Sequence, residues 1–354
     1  MERNLSFNLH VLTARLDRAA DRTLQAEHNV SYSRFLALTL VRELGTPTQR
    51  ALADCLGVTE PSVSRMTAAL AAEGLLDAQP DPAGGRRTAL PADGTPISYR
   101  TMGDGPHLIL LGGALRTSDD YLPLASVLAT SFRVHLVERR GRGASGPQGP
   151  HYTLRKEVED LLAVQSETGA RLAFGHSYGG LVILETARSY PVFDRTAVYE
   201  PGVPAAPVPT GWMGPYRERL TAGDSYGAFV HFIRGAGGAP PILAKLPYWY
   251  LRYALRIGFR GPSWQRMRPL LAANLAEHEQ VAAQQGKLAG FGAVTASVLL
   301  LCGSRSQLAS KTQFGALREI LPTAVQETLN GLNHFGPEGK TAAVVAERAR
   351  AFLL

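Results

Sequence analysis

Apolar positions recur along the chain with two different periods, and the change of period divides it. Leu5, Leu9, Leu12, Leu16, Ala19, Ala20 and Leu24 keep a helical spacing, which Phe35, Leu36, Leu38, Leu40 and Val41 resume over 31–44. Thr46-Pro47-Thr48-Gln49 then has the chemistry of a helix start, with Thr46 as N-cap, Pro47 in the first helical position and Gln49 closing a capping box. It predicts a helix over 49–56 that stops at Gly57; Thr59-Glu60-Pro61-Ser62 opens another that runs to Gly74. Two short helices across a glycine-containing turn make a helix-turn-helix. Between Leu75 and Leu90, the turn Asp81-Pro82-Ala83-Gly84-Gly85-Arg86-Arg87 separates two short extended runs, as a wing would. After the linker Pro91–Pro96 the period shortens. Ile97–Met102, His107–Leu111 and Val134–Val137 read as strands, and 122–129 and 154–168 as helices. Strands that alternate with helices imply a parallel sheet covered on both faces, with ligands at the C-terminal strand ends.

At 354 residues the chain is long for one core, so two domains are expected, at 1–90 and 91–354. No apolar run reaches the length of a membrane span, and Met1-Glu2-Arg3-Asn4 does not open a signal peptide. Cys55 and Cys302 lie far apart in apolar segments, which fits a reducing compartment, and the expected location is cytoplasmic. The net charge is +7, yet residues 1–90 hold ten Arg against ten acids. The basic excess lies in 201–290, with ten Lys and Arg against four acids, so bulk charge gives no reason to place DNA on the first segment.

Spacing gives a reason of another kind. In the helix after Thr59, Val63, Met66 and Leu70 share an inward face, which leaves Ser62, Ser64, Arg65 and Thr67 toward base edges and phosphates. Arg86 and Arg87 of the wing would meet phosphate or a minor groove. In the second segment, Gly175-His176-Ser177-Tyr178-Gly179-Gly180 lies between an apolar strand and the apolar helix 181–187. This is the strand–turn–helix that a nucleophile elbow requires, with Ser177 at a helix N-terminus that favours developing negative charge. Serine is a poor nucleophile at neutral pH and needs a base in hydrogen-bond reach.

Residues 5–90 resemble the winged helix-turn-helix of MarR-type transcription regulators, on Thr48–Leu76 and the Asp81…Arg87 turn; the two further helices that usually help build such dimers are replaced at Pro91. Residues 97–354 resemble an α/β-hydrolase, on Gly175–Gly180, on Arg139-Arg140-Gly141-Arg142-Gly143-Ala144-Ser145 and on Asn333-His334-Phe335-Gly336. The expected architecture is therefore α/β: a winged helix-turn-helix, then a doubly wound, mostly parallel sheet with a helical lid at about 201–290. The resemblance makes His334 the base and His176 a structural neighbour of Ser177. It places the oxyanion hole at the N–H groups of Tyr178 and Ala114, where Gly112-Gly113-Ala114 lacks the family's usual histidine. At the family's usual acid position stands Ser306, in Cys302-Gly303-Ser304-Arg305-Ser306. Glu200, at the end of the strand after the elbow helix, is the preferred acid; a Ser–His dyad and an inactive site remain alternatives. Glu138 is a more distant option, expected to pair with Arg139 or Arg140.

The lid segment holds all three tryptophans, and Arg252 and Arg256 lie four apart in its aromatic stretch 246–259. Most of these rings are expected to pack the lid's own core. A sharper expectation is a pocket for an apolar or aromatic ligand with an acidic group near the arginines, and contact with a membrane surface is a third. No metal cluster or phosphate loop is evident, so no cofactor is expected. The expected partners are a small-molecule substrate or ligand and double-stranded DNA through 1–90, with no integral membrane segment; a homodimer is allowed. The implied function is an esterase-like serine hydrolase fused to a DNA-binding module, serving as a ligand-responsive regulator. The alternative is an inactive hydrolase-fold sensor that controls DNA binding.

Overall fold

The computed structural model describes residues 5–45, 47, 49–77, 86–236, 243, 245–306 and 308–354. The chain forms two compact units, Met1–Pro82 and Ala83–Leu354.

The first unit contains α1 (Leu5–His28), α2 (Tyr32–Leu44), α3 (Gln49–Leu56) and α4 (Glu60–Ala72). Ser31 caps α2 by accepting the Arg34 N–H at 3.4 Å. The chain reverses after α3 at Gly57, whose φ of 67° suits a residue without Cβ. Leu52, Ala53 and Val63 form the buried centre of the α3–α4 pair, with Leu40, Val41, Leu56 and Met66 packed around it. Val63 and Leu70 thus face inward, as their spacing predicts. Thr67 differs from expectation: it is buried, and its hydroxyl donates to the Val63 carbonyl at 3.0 Å while Gln49 Nε2 reaches it at 3.3 Å. Bonding one helical turn back satisfies the hydroxyl and lets it sit inside. The expected cap Thr46 and most of the wing turn (residues 81–85) lie outside the described residues.

The second unit is an eight-stranded sheet in the order β1-β2-β4-β3-β5-β6-β7-β8. In chain order it runs β1 (Arg86–Ala89), β2 (Ile97–Met102), β3 (His107–Leu111), α5 (Leu122–Leu128), β4 (Arg133–Val137), α6 (Leu154–Thr168), β5 (Leu172–His176), α7 (Tyr178–Ser189) and β6 (Arg195–Tyr199). The lid segment follows with α8 (Met213–Thr221), α9 (Ser225–Gly235), α10 (Tyr248–Gly258), α11 (Pro262–Met267) and α12 (Leu271–Ala282). The sheet resumes with β7 (Ser297–Gly303), α13 (Leu308–Ile320), β8 (Ala324–Leu329) and α14 (Ala342–Leu353). β3 to β8 are parallel, and β1 and β2 are antiparallel. Strand residues alternate between two cores. Ile109 and Leu111 face a layer that holds Leu161, Leu184 and Leu317, while Leu108 and Leu110 face Leu124, Leu128 and Val345.

The structure gives the two wing arginines a strand setting. Arg86 and Arg87, placed in a wing by their sequence, stand on β1, which pairs with β2 in the register Arg87↔Tyr99 and Ala89↔Ile97. Ala89 is fully buried in the second unit's core. A four-residue run has little stability alone, and the open edge of β2 completes its hydrogen bonds.

Candidate active site

β5 ends at His176 and α7 begins at Tyr178, so the whole reversal falls on Ser177, at φ 52° and ψ −118°. A side chain at this φ is strained, and the surroundings hold it there. The Ser177 N–H donates to the Tyr199 carbonyl at 3.0 Å, and its carbonyl accepts from Leu181 at 3.1 Å and Gly202 at 2.9 Å. The turn is tight enough to require glycine on both sides. A Cβ on Gly175 would lie 2.7 Å from the Gly180 Cα, and one on Gly179 would lie 2.5 Å from the Leu111 oxygen.

Glu200 and His334 are 134 residues apart and meet at 2.8 Å, Oε2 to Nδ1. Glu200 sits one residue past β6, at φ 45°, tied to the sheet by its N–H to the Leu301 carbonyl at 2.9 Å. Its other oxygen, Oε1, accepts from the Gly303 N–H at 2.9 Å and from the Ser306 hydroxyl. Ser306, at the position where the resemblance expects an acid, is thus a donor to the Glu200 carboxylate at the end of β6. Burial works to raise the Glu200 pKa, but the His334 bond and charge, Gly303 and Ser306 outweigh it and hold the carboxyl below its ordinary range. An ionised carboxylate can only accept, so Nδ1 of His334 carries a proton, and in the neutral imidazole Nε2 keeps its lone pair. Glu138 lies elsewhere: it accepts from Ser118 Oγ at 2.8 Å, and Arg139 and Arg140 pair instead with Glu157 and Asp160.

The loop after β3 passes beside Ser177, since a Cβ on Gly113 would lie 3.0 Å from Ser177 Cβ. The Gly113 N–H is taken by the Tyr121 hydroxyl at 2.8 Å, which leaves Ala114 as the next donor along this loop. Tyr178 is the first residue of α7, where an N–H has no acceptor within the helix. Two groups that sequence reading missed hold this loop. Tyr121 is one. The other is buried Arg139, which donates to the carbonyls of Gly113 at 3.2 Å and Gly112 at 3.4 Å and lies 4.6 Å from the centre of the Tyr178 ring. Arg139 also pairs with Glu157 at 2.7 Å and with Glu277 of α12 at 2.8 Å. Nothing local marks either contact, because Arg139 and Glu277 are 138 positions apart.

The lid rings largely pack on one another. Trp212, Tyr216 and Trp264 are buried with Leu270, Leu271 and Leu275, and Tyr226 stacks on Trp264 at 4.4 Å. Leu115, next to Ala114, is inserted in this cluster. Arg252 is held by Asp224 at 3.0 Å and Arg256 is exposed. Burial keeps the His278 imidazole below its usual range. Of the residues expected to touch DNA, Arg65 is exposed on α4, while Ser62 Oγ lies 2.9 Å from Thr59 Oγ1 at the helix start. The Ser64 side chain lies outside the described residues. Among the described residues, no group of three or more His, Cys, Asp and Glu is placed to hold a metal ion, and no helix is long and apolar enough to cross a membrane.

Comparison with known proteins agrees with this fold. The α/β hydrolase family model matches residues 108–348 and the MarR family model matches 28–87. The second unit resembles the crystal structure of an α/β hydrolase from Sphaerobacter thermophilus, with a TM-score of 0.65 and 29% identity, covering 76% of this chain and all of that one. A proline iminopeptidase from Saccharolobus solfataricus is 26% identical over 167 residues, 45% of this chain, which spans about half (53%) of that relative's length. A putative carbamate hydrolase, RutD, from Cronobacter turicensis is 24% identical over 259 residues, 67% of this chain and 87% of the relative. The chain belongs to the α/β hydrolase family and carries a MarR-family segment ahead of its hydrolase domain.

Proposed function

We propose that the chain is a serine hydrolase that cleaves an ester or related acyl bond of a small apolar or aromatic molecule, and that the MarR segment makes it a ligand-responsive DNA-binding regulator. The observation that carries the first half is the Glu200–His334 contact, with Nε2 left free to take a proton. Ser177 Oγ attacks the acyl carbon as His334 Nε2 takes its proton. The tetrahedral oxyanion is held by the N–H groups of Tyr178 and Ala114. Collapse expels the alcohol, which leaves with the proton from His334. Water, deprotonated by the same nitrogen, then releases the acid and restores Ser177. Among the relatives are enzymes named as an iminopeptidase and a putative carbamate hydrolase, which keeps amide and carbamate bonds within the class to be tested.

A fluorophosphonate probe tests this half. The wild type is expected to label at Ser177, and Ser177→Ala and His334→Ala to stay unlabelled. A wild type that does not label contradicts an activated serine. For the regulator half, duplex binding should weaken as salt rises, and Arg65→Ala should reduce the logarithmic salt slope by about 1. A silent titration at low salt removes this half and leaves the hydrolase intact.

A further inference from the structure

We infer that Tyr121 and His176 are positioning residues for the hydrolysis proposed above: they form one directed hydrogen-bond chain from the oxyanion loop to the His334 loop. The inference rests on the reading of Ser177, His334 and Ala114 just given. Three bonds make the chain. The Gly113 N–H meets Tyr121 OH at 2.8 Å, Tyr121 OH meets His176 Nδ1 at 2.6 Å, and His176 Nε2 meets the His334 carbonyl at 2.8 Å.

Donor and acceptor chemistry gives the chain a single direction. A carbonyl oxygen can only accept, so His176 Nε2 carries the proton. A neutral imidazole then offers Nδ1 as an acceptor, and the Tyr121 O–H must donate to it. That leaves the phenol oxygen to accept the Gly113 N–H. The opposite tautomer would set the Nε2 lone pair against the His334 oxygen. Burial agrees with a neutral ring: His176 and Tyr121 are almost fully buried, and desolvation keeps the His176 pKa well below its usual value. The other titratable groups nearby are His334, whose ring centre is 4.8 Å from that of His176, Glu338, whose Oε1 is 3.9 Å from His176 Nδ1, and Arg116, which pairs with Glu338 at 2.7 Å.

The chain also accounts for Gly112. A Cβ there would lie 2.4 Å from the Tyr121 ring, so the ring fills the space a side chain at Gly112 would need. At the far end, Tyr199 OH donates to the Asn333 carbonyl at 2.6 Å. Two consecutive carbonyls of the His334 loop are thus pinned, one from β6 and one from the elbow itself. The oxyanion donor beside Gly113 and the base at His334 are set against a common reference.

Nitrogen-15 spectra of the full chain labelled at histidine, with His176 assigned by its loss in His176→Asn, read the tautomer directly. A proton on Nε2 with Nδ1 as acceptor is expected; a proton on Nδ1 overturns the chain. Tyr121→Phe keeps the ring against Gly112 and removes only the hydroxyl. Its kcat on p-nitrophenyl butyrate should fall about 100-fold, the scale set by a small misplacement of catalytic groups. KM should stay within about twofold of wild type, and affinity for an alkyl boronic acid, which needs the oxyanion hole, should fall with kcat. A lower melting temperature with unchanged kcat overturns the positioning role, since a merely structural bond behaves that way. If the wild type fails to label at Ser177, the hydrolase reading falls by that result, and the nitrogen shifts still decide the hydrogen-bond chain.

Discussion

Glu200→Gln lowers kcat by about 10⁴-fold and leaves KM near wild type, the size expected when the base is held in the wrong tautomer. The reason lies in the two donors at Glu200 Oε1. Gly303 N–H and the Ser306 hydroxyl both point at that oxygen, so the glutamine carbonyl must take their side. Its NH₂ group is then turned toward His334 Nδ1, where the carboxylate oxygen lies at 2.8 Å in the wild type. A donor at that place forces the proton of His334 onto Nε2, and Ser177 loses its acceptor. Steady-state kinetics beside the fluorophosphonate labelling rate test this; a loss of less than tenfold in both would remove Glu200 from the acid role. The same contacts set a pH dependence. The Glu200 carboxyl is held below its ordinary value of 4.5. The stability it contributes is therefore present above that value and is lost as pH falls through the lower, folded-state pKa. Acid unfolding of Glu200→Gln should accordingly be less steep than that of the wild type.

Glu277→Ala destabilises the hydrolase unit by about 3–5 kcal/mol, the range for breaking a buried ion pair from one side. Glu277 is fully buried in α12, and its Oε1 accepts from both Arg139 and Arg142. Arg139 retains Glu157 after the change, but among the described residues Arg142 is left with the carbonyls of Arg116 and Arg140. Urea unfolding of the full chain, followed by a probe in the second unit, should show its midpoint lowered by about 1 M or more. Because Arg139 also holds the carbonyls of Gly112 and Gly113, activity should fall at urea concentrations below the unfolding transition. An unchanged midpoint would mean that α12 is seated by its apolar contacts alone.

The alternation of strands and helices, and with it the parallel sheet, was legible because each element's type depends on neighbours within a few residues. Leu154–Thr168 and His107–Leu111 have in the structure the bounds that their apolar spacing predicts. The elbow was legible for the same reason: glycine at 175 and 179 around Ser177 is a demand of local geometry. The pairing of Arg86 and Arg87 with β2 was not legible, because a short extended run carries no mark of which strand it will join. Thr67 was misplaced because its spacing assigns a face but cannot show that its hydroxyl bonds to Val63.

What only the tertiary structure decided is which distant groups meet. The sequence offered Glu200, a dyad or a dead site, and Ser306 stood as an argument for the last. The adjacency of β6 and β7 in the sheet brings Glu200 beside Gly303 and Ser306, and the loop after β8 delivers His334 to the same carboxylate. Tyr121 in the space at Gly112, and Glu277 on Arg139, are contacts of the same kind. Residue spacing encodes the period of an element and the chemistry of a turn, and these determined the two-domain plan, the elbow and the candidate base. Contacts across more than a hundred residues follow from strand order and helix packing, which the chain acquires only when its separate apolar faces are buried together.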